Sequence, residues 1–136
     1  TSMYGSPNAE HKPYKITSNS IDKNDSSGKL IEFPLLVTTF LGKKIPAAGG
    51  FYLRTLPTKI IKNALKNYQS KDIPGSFYIH SWELTPELMP KLDLPFKDKF
   101  ATYHNLGKAY SRMSELLEIF EFTSFNRYIT ENKMLH

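Results

Sequence analysis

Residues 57–80 read PTKIIKNALKNYQSKDIPGSFYIH, and this stretch decides the fold class. Pro57 suits a first helical turn, because its fixed φ is already helical and its missing N–H has no helical partner to lose. After it, Ile60, Ile61, Ala64, Leu65 and Tyr68 recur at helical spacing and form one apolar stripe, with Lys59, Lys62 and Lys66 off the stripe as a solvated face. Pro74-Gly75 is a turn, and Ser76-Phe77-Tyr78-Ile79-His80 then reads as a short, nearly continuous apolar strand of the kind buried on both faces of a parallel sheet.

Upstream, Leu30-Ile31-Glu32-Phe33 and Leu35-Leu36-Val37-Thr38-Thr39-Phe40 are β-branched and aromatic and predict one or two strands broken at Pro34. Residues 42–50 predict a loop ending in Ala47-Ala48-Gly49-Gly50. Residues 1–29, with Ser18-Asn19-Ser20 and Asn24-Asp25-Ser26-Ser27-Gly28, are turn chemistry and predict an irregular surface segment. Downstream, residues 84–104 form an excursion marked by Pro86, Pro90 and Pro95. A second helix follows through Leu106, Ala109, Tyr110, Met113, Leu116, Leu117 and Phe120, capped at Asn105 or Gly107. Phe122-Thr123-Ser124-Phe125 is a candidate last strand, and the tail to His136 carries little signal. Strands alternating with two main helices predict an α/β domain with parallel strands. They are too few to close a barrel, so the pattern fits part of a larger domain: an irregular segment 1–29 followed by 30–136.

The chain has 136 residues, 40% of them apolar and 13% aromatic, enough for a packed core. With no cysteine, disulfides, thiolate metal sites and a Cys nucleophile are excluded, and no compartment is assigned. No apolar run approaches a membrane span. The net charge of +5 is uneven: residues 1–75 carry 11 Lys and Arg against 5 Asp and Glu, and residues 76–136 carry 7 against 8. A basic front half attracts anionic polymers, yet no nucleic-acid motif accompanies it and its Lys residues are not interleaved with aromatics, so nucleic acid is not an expected partner.

Four histidines are present, His11, His80, His104 and His136, and no two of them have metal-ligand spacing. Asp22 and Asp25 lie in turn chemistry, and Glu115, Glu118 and Glu121 read as a solvated helix face. His80 stands out because it ends the apolar strand, where catalytic groups of α/β folds gather. Its imidazole there serves either as a proton donor and acceptor or as a hydrogen-bonded core histidine. Trp82, the single tryptophan, offers a flat face to a sugar. Gly49-Gly50 allows a tight turn or close approach of backbone to a ligand, with Arg54 within reach; alone, a structural turn with a surface Arg is the favoured reading of that segment.

A family resemblance adds to these readings. Gly49-Gly50-Phe51-Tyr52-Leu53-Arg54-Thr55-Leu56-Pro57 resembles the Gly-Gly-Gly-Tyr-Phe-Arg-Leu-Leu-Pro run of one branch of polysaccharide deacetylases. Phe77-Tyr78-Ile79-His80-Ser81-Trp82-Glu83-Leu84 resembles that branch's Tyr-Leu-His-Pro-Trp-Glu-Leu. Leu30-Ile31-Glu32-Phe33-Pro34 and Tyr103-His104-Asn105-Leu106 look like two further segments in the same order, so the match runs from about residue 30 to about residue 125. The branch belongs to the NodB-homology group, carbohydrate esterase family 4, and is found in bacterial exopolysaccharide clusters. The resemblance implies the C-terminal part of a distorted (β/α) barrel that hydrolyses N-acetyl groups of an amino-sugar polysaccharide. It implies a divalent metal, usually zinc, held by an Asp and two His near the front of the complete domain, with no metal ligand in this chain. His80 takes the place of the acid that protonates the departing amine, and Arg54, Trp82, Gly49 and Gly50 are the expected substrate-binding positions, with Arg54 orienting either the acid or the sugar. The family's Asp-Asp and His-x-x-x-His motifs are absent here, so the expected partner, besides the polysaccharide, is the N-terminal half of the same domain. Ser81 replaces the family's Pro, and the third glycine is missing. The alternative is a non-catalytic carbohydrate-binding or interaction module derived from that fold.

Overall fold

The computed structural model describes residue 6 and residues 8–134; residues 1–5, 7, 135 and 136, including His136 and the front of the 1–29 segment, lie outside the described residues. Four short strands come first: β1 (Tyr14–Ile16), β2 (Leu30–Glu32), β3 (Val37–Phe40) and β4 (Lys43–Pro46). Helices follow: α1 (Gly50–Thr55), α2 (Thr58–Gln69), α3 (Ser81–Leu84), α4 (Phe96–Tyr103), α5 (Ala109–Ile119) and α6 (Phe125–Glu131), with 3-10 turns at Pro86–Leu88 and Leu106–Lys108.

The α/β class stands, but the strands are not parallel. β1 pairs antiparallel with β2, Lys15 opposite Ile31, and β3 pairs antiparallel with β4, Thr38 opposite Ile45, as two separate two-stranded sheets. The described residues therefore contain no parallel sheet from which barrel geometry could be read. The cause is local at β3–β4. Leu41 and Gly42 both take positive φ, 49° and 74°, which is the two-residue reversal that folds one strand back on its neighbour. That reversal turns much of the predicted 42–50 loop into β4. The stretch 1–29 likewise holds β1. Its predicted turn at residues 24–28 forms around Asp25, whose carboxylate accepts from Thr17 Oγ1 at 2.9 Å, Ser27 Oγ at 2.7 Å and Ser27 N at 3.0 Å. Those bonds, Ser27 foremost, hold the Asp25 carboxyl below the usual carboxylate range.

Residues 76–80 do not form the predicted strand. Ser76 makes a single parallel bridge to Leu35, with Leu36 N donating to Ser76 O at 3.1 Å, and the chain beyond it has no paired neighbour. Its side chains alternate: Phe77 and Ile79 pack on the core while Tyr78 and His80 face outward. The candidate last strand at 122–125 is also absent, because Ser124 caps α6 by accepting from Arg127 N at 3.2 Å.

Both main helices form. α2 buries Ile61, Ala64, Leu65 and Tyr68, leaves Lys59 and Lys66 exposed, and pairs Lys62 with Glu115 of α5. α5 begins at Ala109, after Asn105 in the left-handed region (φ 53°) and the 3-10 turn; it buries Ala109 and Leu116. Leu36, Ala47, Ala48 and Leu53 complete the core with Leu116 and the α2 stripe. Arg112 of α5 donates to the carbonyls of Leu53 (2.7 Å) and Leu56 (2.9 Å), so the carbonyls that end α1 are satisfied and α1 is locked to α5. Within the 84–104 excursion, Pro95 precedes α4, whose C-terminal carbonyls close over α1 and become part of the site described next.

Candidate functional site

A groove of about 580 Å³ opens between the strand pairs and the helices. Tyr14 and Glu32, partners across β1–β2, line one side; Val37 and Pro46, partners across β3–β4, line another; Gly49, Gly50, Tyr78, His80 and Trp82 line the rest. The predicted site residues thus come together, although residues 49–54 and 78–83 are separated in sequence.

The two glycines do different work. Gly49 sits at φ 102°, a conformation that L side chains rarely adopt, and its carbonyl accepts from Leu53 N at 2.9 Å to start α1. Gly50 is a matter of space. A Cβ there would lie 1.8 Å and 1.9 Å from the two carboxylate oxygens of Glu83. The glycine lets a buried carboxylate press against the backbone of α1, so its observed close neighbour is Glu83 and not an open ligand position.

Arg54, one turn further along α1, is 1% exposed. Its Nε donates to Glu83 Oε1 at 3.1 Å and to Gly50 O at 3.2 Å, and its Nη2 lies 2.9 Å from Glu83 Oε1. Nη2 also donates to Ala101 O at 3.0 Å, and Nη1 donates to Thr102 O and His104 O. A guanidinium has five N–H donors, and these contacts use all of them. Arg54 is among the residues lining the groove and is at the same time the buried cation that pins α4 over α1 and fixes Glu83, the carboxylate that faces His80. Asn105 Nδ2 donates to Arg54 O at 3.2 Å and meets His104 Nε2 at 2.9 Å, closing the same junction.

Glu83, 2% exposed, is the residue that sequence reasoning left unassigned. Oε1 is held by Arg54, while Oε2 accepts from His80 N at 3.1 Å and faces His80 Nδ1 at 3.3 Å. A signal was available: an acidic residue three positions after a helix start reaches back to the N-cap N–H, and Glu83 stands in that relation to His80. An ionised carboxylate only accepts, so the contact with Glu83 assigns the hydrogen to Nδ1, and Nε2 lies on the other side of the ring. There it meets Tyr78 Oη at 2.8 Å. The ring stacks on Trp82, centroids 5.3 Å apart and planes at 22°, and takes Tyr78 edge-on at 4.7 Å. His80 is therefore neither buried nor free: an oriented imidazole, 44% exposed, at the groove wall.

A family model described as a domain of unknown function (DUF3473) matches residues 1–130. The chain belongs to that family. No curated protein and no solved structure matches it significantly.

The DUF3473 domain has a second imidazole on the groove. His11 Nδ1 lies 3.3 Å from Tyr68 Oη, which accepts from Val37 N at 3.2 Å. Burial first, then the charges of Lys44 and Lys71, push the His11 pKa below its ordinary value. Among the described residues, no group of three or more His, Cys, Asp and Glu side chains is placed to hold a metal ion. The described residues of the site do not fit the divalent metal that the resemblance implies. Likewise, no helix among the described residues is long and apolar enough to cross a membrane.

Proposed function

We propose that this domain is the acid-bearing, carbohydrate-binding part of a NodB-type polysaccharide deacetylase. That enzyme hydrolyses N-acetyl groups of an amino-sugar polymer, and His80 is its general acid. The observation that carries the reading is the Arg54–Glu83–His80 series beside Trp82 at an open groove: a buried ion pair aims an imidazole at a space bounded by a flat aromatic face. The family is associated with polysaccharide deacetylase C-terminal regions, which agrees with it.

Amide hydrolysis needs a strong nucleophile and a proton for an amine, which leaves poorly as an anion. Residues outside this chain would hold the divalent metal that the resemblance implies, and its chemistry would supply the nucleophile. This chain's share is the proton. Glu83 holds Nδ1–H, which orients the ring and stabilises the imidazolium; the proton to be given resides on Nε2, on the Tyr78 side of the ring. Trp82 walls the pocket on the sugar side, and Gly49 and Gly50 shape its edge.

The experiment compares the intact protein with His80→Gln on an N-acetylglucosamine oligomer, measuring acetate release and, by isothermal titration calorimetry, binding. Loss of a general acid predicts a drop of about 10²–10⁴-fold in kcat with binding retained. Unchanged turnover in His80→Gln removes the imidazole from the reaction. A second reading, a non-catalytic carbohydrate-binding module, draws on the same Trp82 face, and it is selected if the oligomer binds while no acetate is released by either protein.

A further inference from the structure

Both nitrogens of His80 are already engaged. Nδ1 faces Glu83 Oε2 at 3.3 Å, and Nε2 faces Tyr78 Oη at 2.8 Å. Burial falls off steadily along this series: Arg54 and Glu83 are inside, His80 is partly open, and Tyr78 is 57% exposed on the groove. His80 lines the groove, but its Nε2 is directed at the phenol oxygen, so Tyr78 stands between that nitrogen and a molecule in the groove. Tyr78 is held in place from two sides. Phe77 and Ile79 anchor the backbone on the core, and the Tyr78 carbonyl lies against Gly49, 3.6 Å from where a Cβ would sit.

The direction of the Tyr78–His80 hydrogen bond depends on the proton. With the imidazole neutral and Nδ1 protonated, Nε2 can only accept, so the Tyr78 hydroxyl donates to it and its hydrogen points inward. With the imidazole charged, Nε2–H donates to the phenol oxygen, and the hydroxyl hydrogen is turned out toward the groove. The acid-competent state of His80 is thus also the state in which Tyr78 presents a donor to whatever lies there.

We infer that Tyr78, and not the imidazole itself, is the group that touches the departing amine, and that it passes the proton of His80 to it. This rests on the deacetylase reading above. As the C–N bond breaks, its electron pair goes to nitrogen, the Tyr78 O–H proton forms the new N–H bond, and the Nε2 proton moves onto the phenol oxygen. Tyr78 ends as a phenol donating to Nε2, His80 ends neutral with Nδ1–H still on Glu83, and solvent reprotonates the imidazole for the next turnover. The phenol oxygen never has to hold a charge. Glu83, Arg54 and Tyr78 are the ionisable groups facing the ring within this series.

The test is Tyr78→Phe in the intact protein, which deletes the hydroxyl and keeps the ring edge-on to His80. We expect kcat on an N-acetylglucosamine oligomer to fall about 10²-fold, with KM within about twofold because ground-state binding is untouched. In mixtures of H₂O and D₂O the wild type should show a curved rate dependence, two protons moving together, and Tyr78→Phe a linear one. The ¹⁵N resonance of His80 Nε2 should move in the variant, a readout that needs no activity. Wild-type turnover in Tyr78→Phe, a linear wild-type isotope dependence, or an unmoved Nε2 resonance each overturns the relay. His80→Gln separates the two claims. If it is inert while Tyr78→Phe is fully active, only the relay fails; if His80→Gln is itself fully active, the deacetylase acid fails with it.

Discussion

Gly50→Ala should collapse the site from a distance of one methyl group. The added Cβ would sit 1.8–2.0 Å from the carboxylate of Glu83, and atoms do not approach below about 3 Å, so the carboxylate must retreat by more than an ångström. Glu83 is held to Arg54 and His80 by contacts of 2.9–3.3 Å and is 2% exposed, so the retreat breaks them with no water to replace them. Separating a buried ion pair by disabling one partner costs about 3–5 kcal/mol. For a chain of this size, each kcal/mol lowers Tm by roughly 3–5 °C, so a fall of about 10–20 °C is expected in thermal unfolding followed by circular dichroism. Trp82 emission should change as well, because the His80 ring loses its Glu83 anchor. Gly107→Ala is the control: nothing lies within 4 Å of its added Cβ, and it should cost little or stabilise slightly. A Gly50→Ala protein melting within about 2 °C of wild type would refute the claim that Glu83 is immovably packed against α1.

Two further expectations follow from the same geometry. Arg54→Lys keeps the charge but replaces five planar donors with three, leaving carbonyls among Ala101, Thr102 and His104 unpaired. At about 1–3 kcal/mol for each buried group left unsatisfied, Tm should fall measurably, and an unchanged Tm would show that the α1–α4 junction does not depend on the guanidinium. His11 binds its proton less readily folded than unfolded, so as pH falls below about 6.5 the unfolded chain is protonated first and stability present at neutral pH is lost. Urea midpoints should therefore drop on acidification and drop less in His11→Gln; equal slopes would place the pH sensitivity elsewhere.

Much of the local structure was legible in the sequence. The stripe Ile61, Ala64, Leu65, Tyr68 and the Pro57 start specify α2 because a helix buries residues three and four apart on one face. Leu106, Ala109 and Leu116 do the same near α5. The turn chemistry around Asp25 is equally local. What failed was pairing. An apolar run at 76–80 looks like a buried strand, yet a strand is defined by its hydrogen-bonded neighbours, and here only Ser76 finds one. The reversal at Leu41 and Gly42 was missed because Leu rarely takes positive φ, and that single turn exchanges a parallel expectation for an antiparallel pair.

The site divides in the same way. Residue type and local order singled out His80 and Trp82, whereas the Gly49-Gly50 pair, by itself an ordinary turn, gained its place from the family resemblance. Whether Arg54 faces a ligand or the interior, and what Gly50 makes room for, depend on residues about thirty and fifty positions away, Glu83 and Ala101 to His104. Only the tertiary arrangement could decide that, because a guanidinium is consumed by whichever acceptors packing brings to it, and no spacing along the chain records that choice.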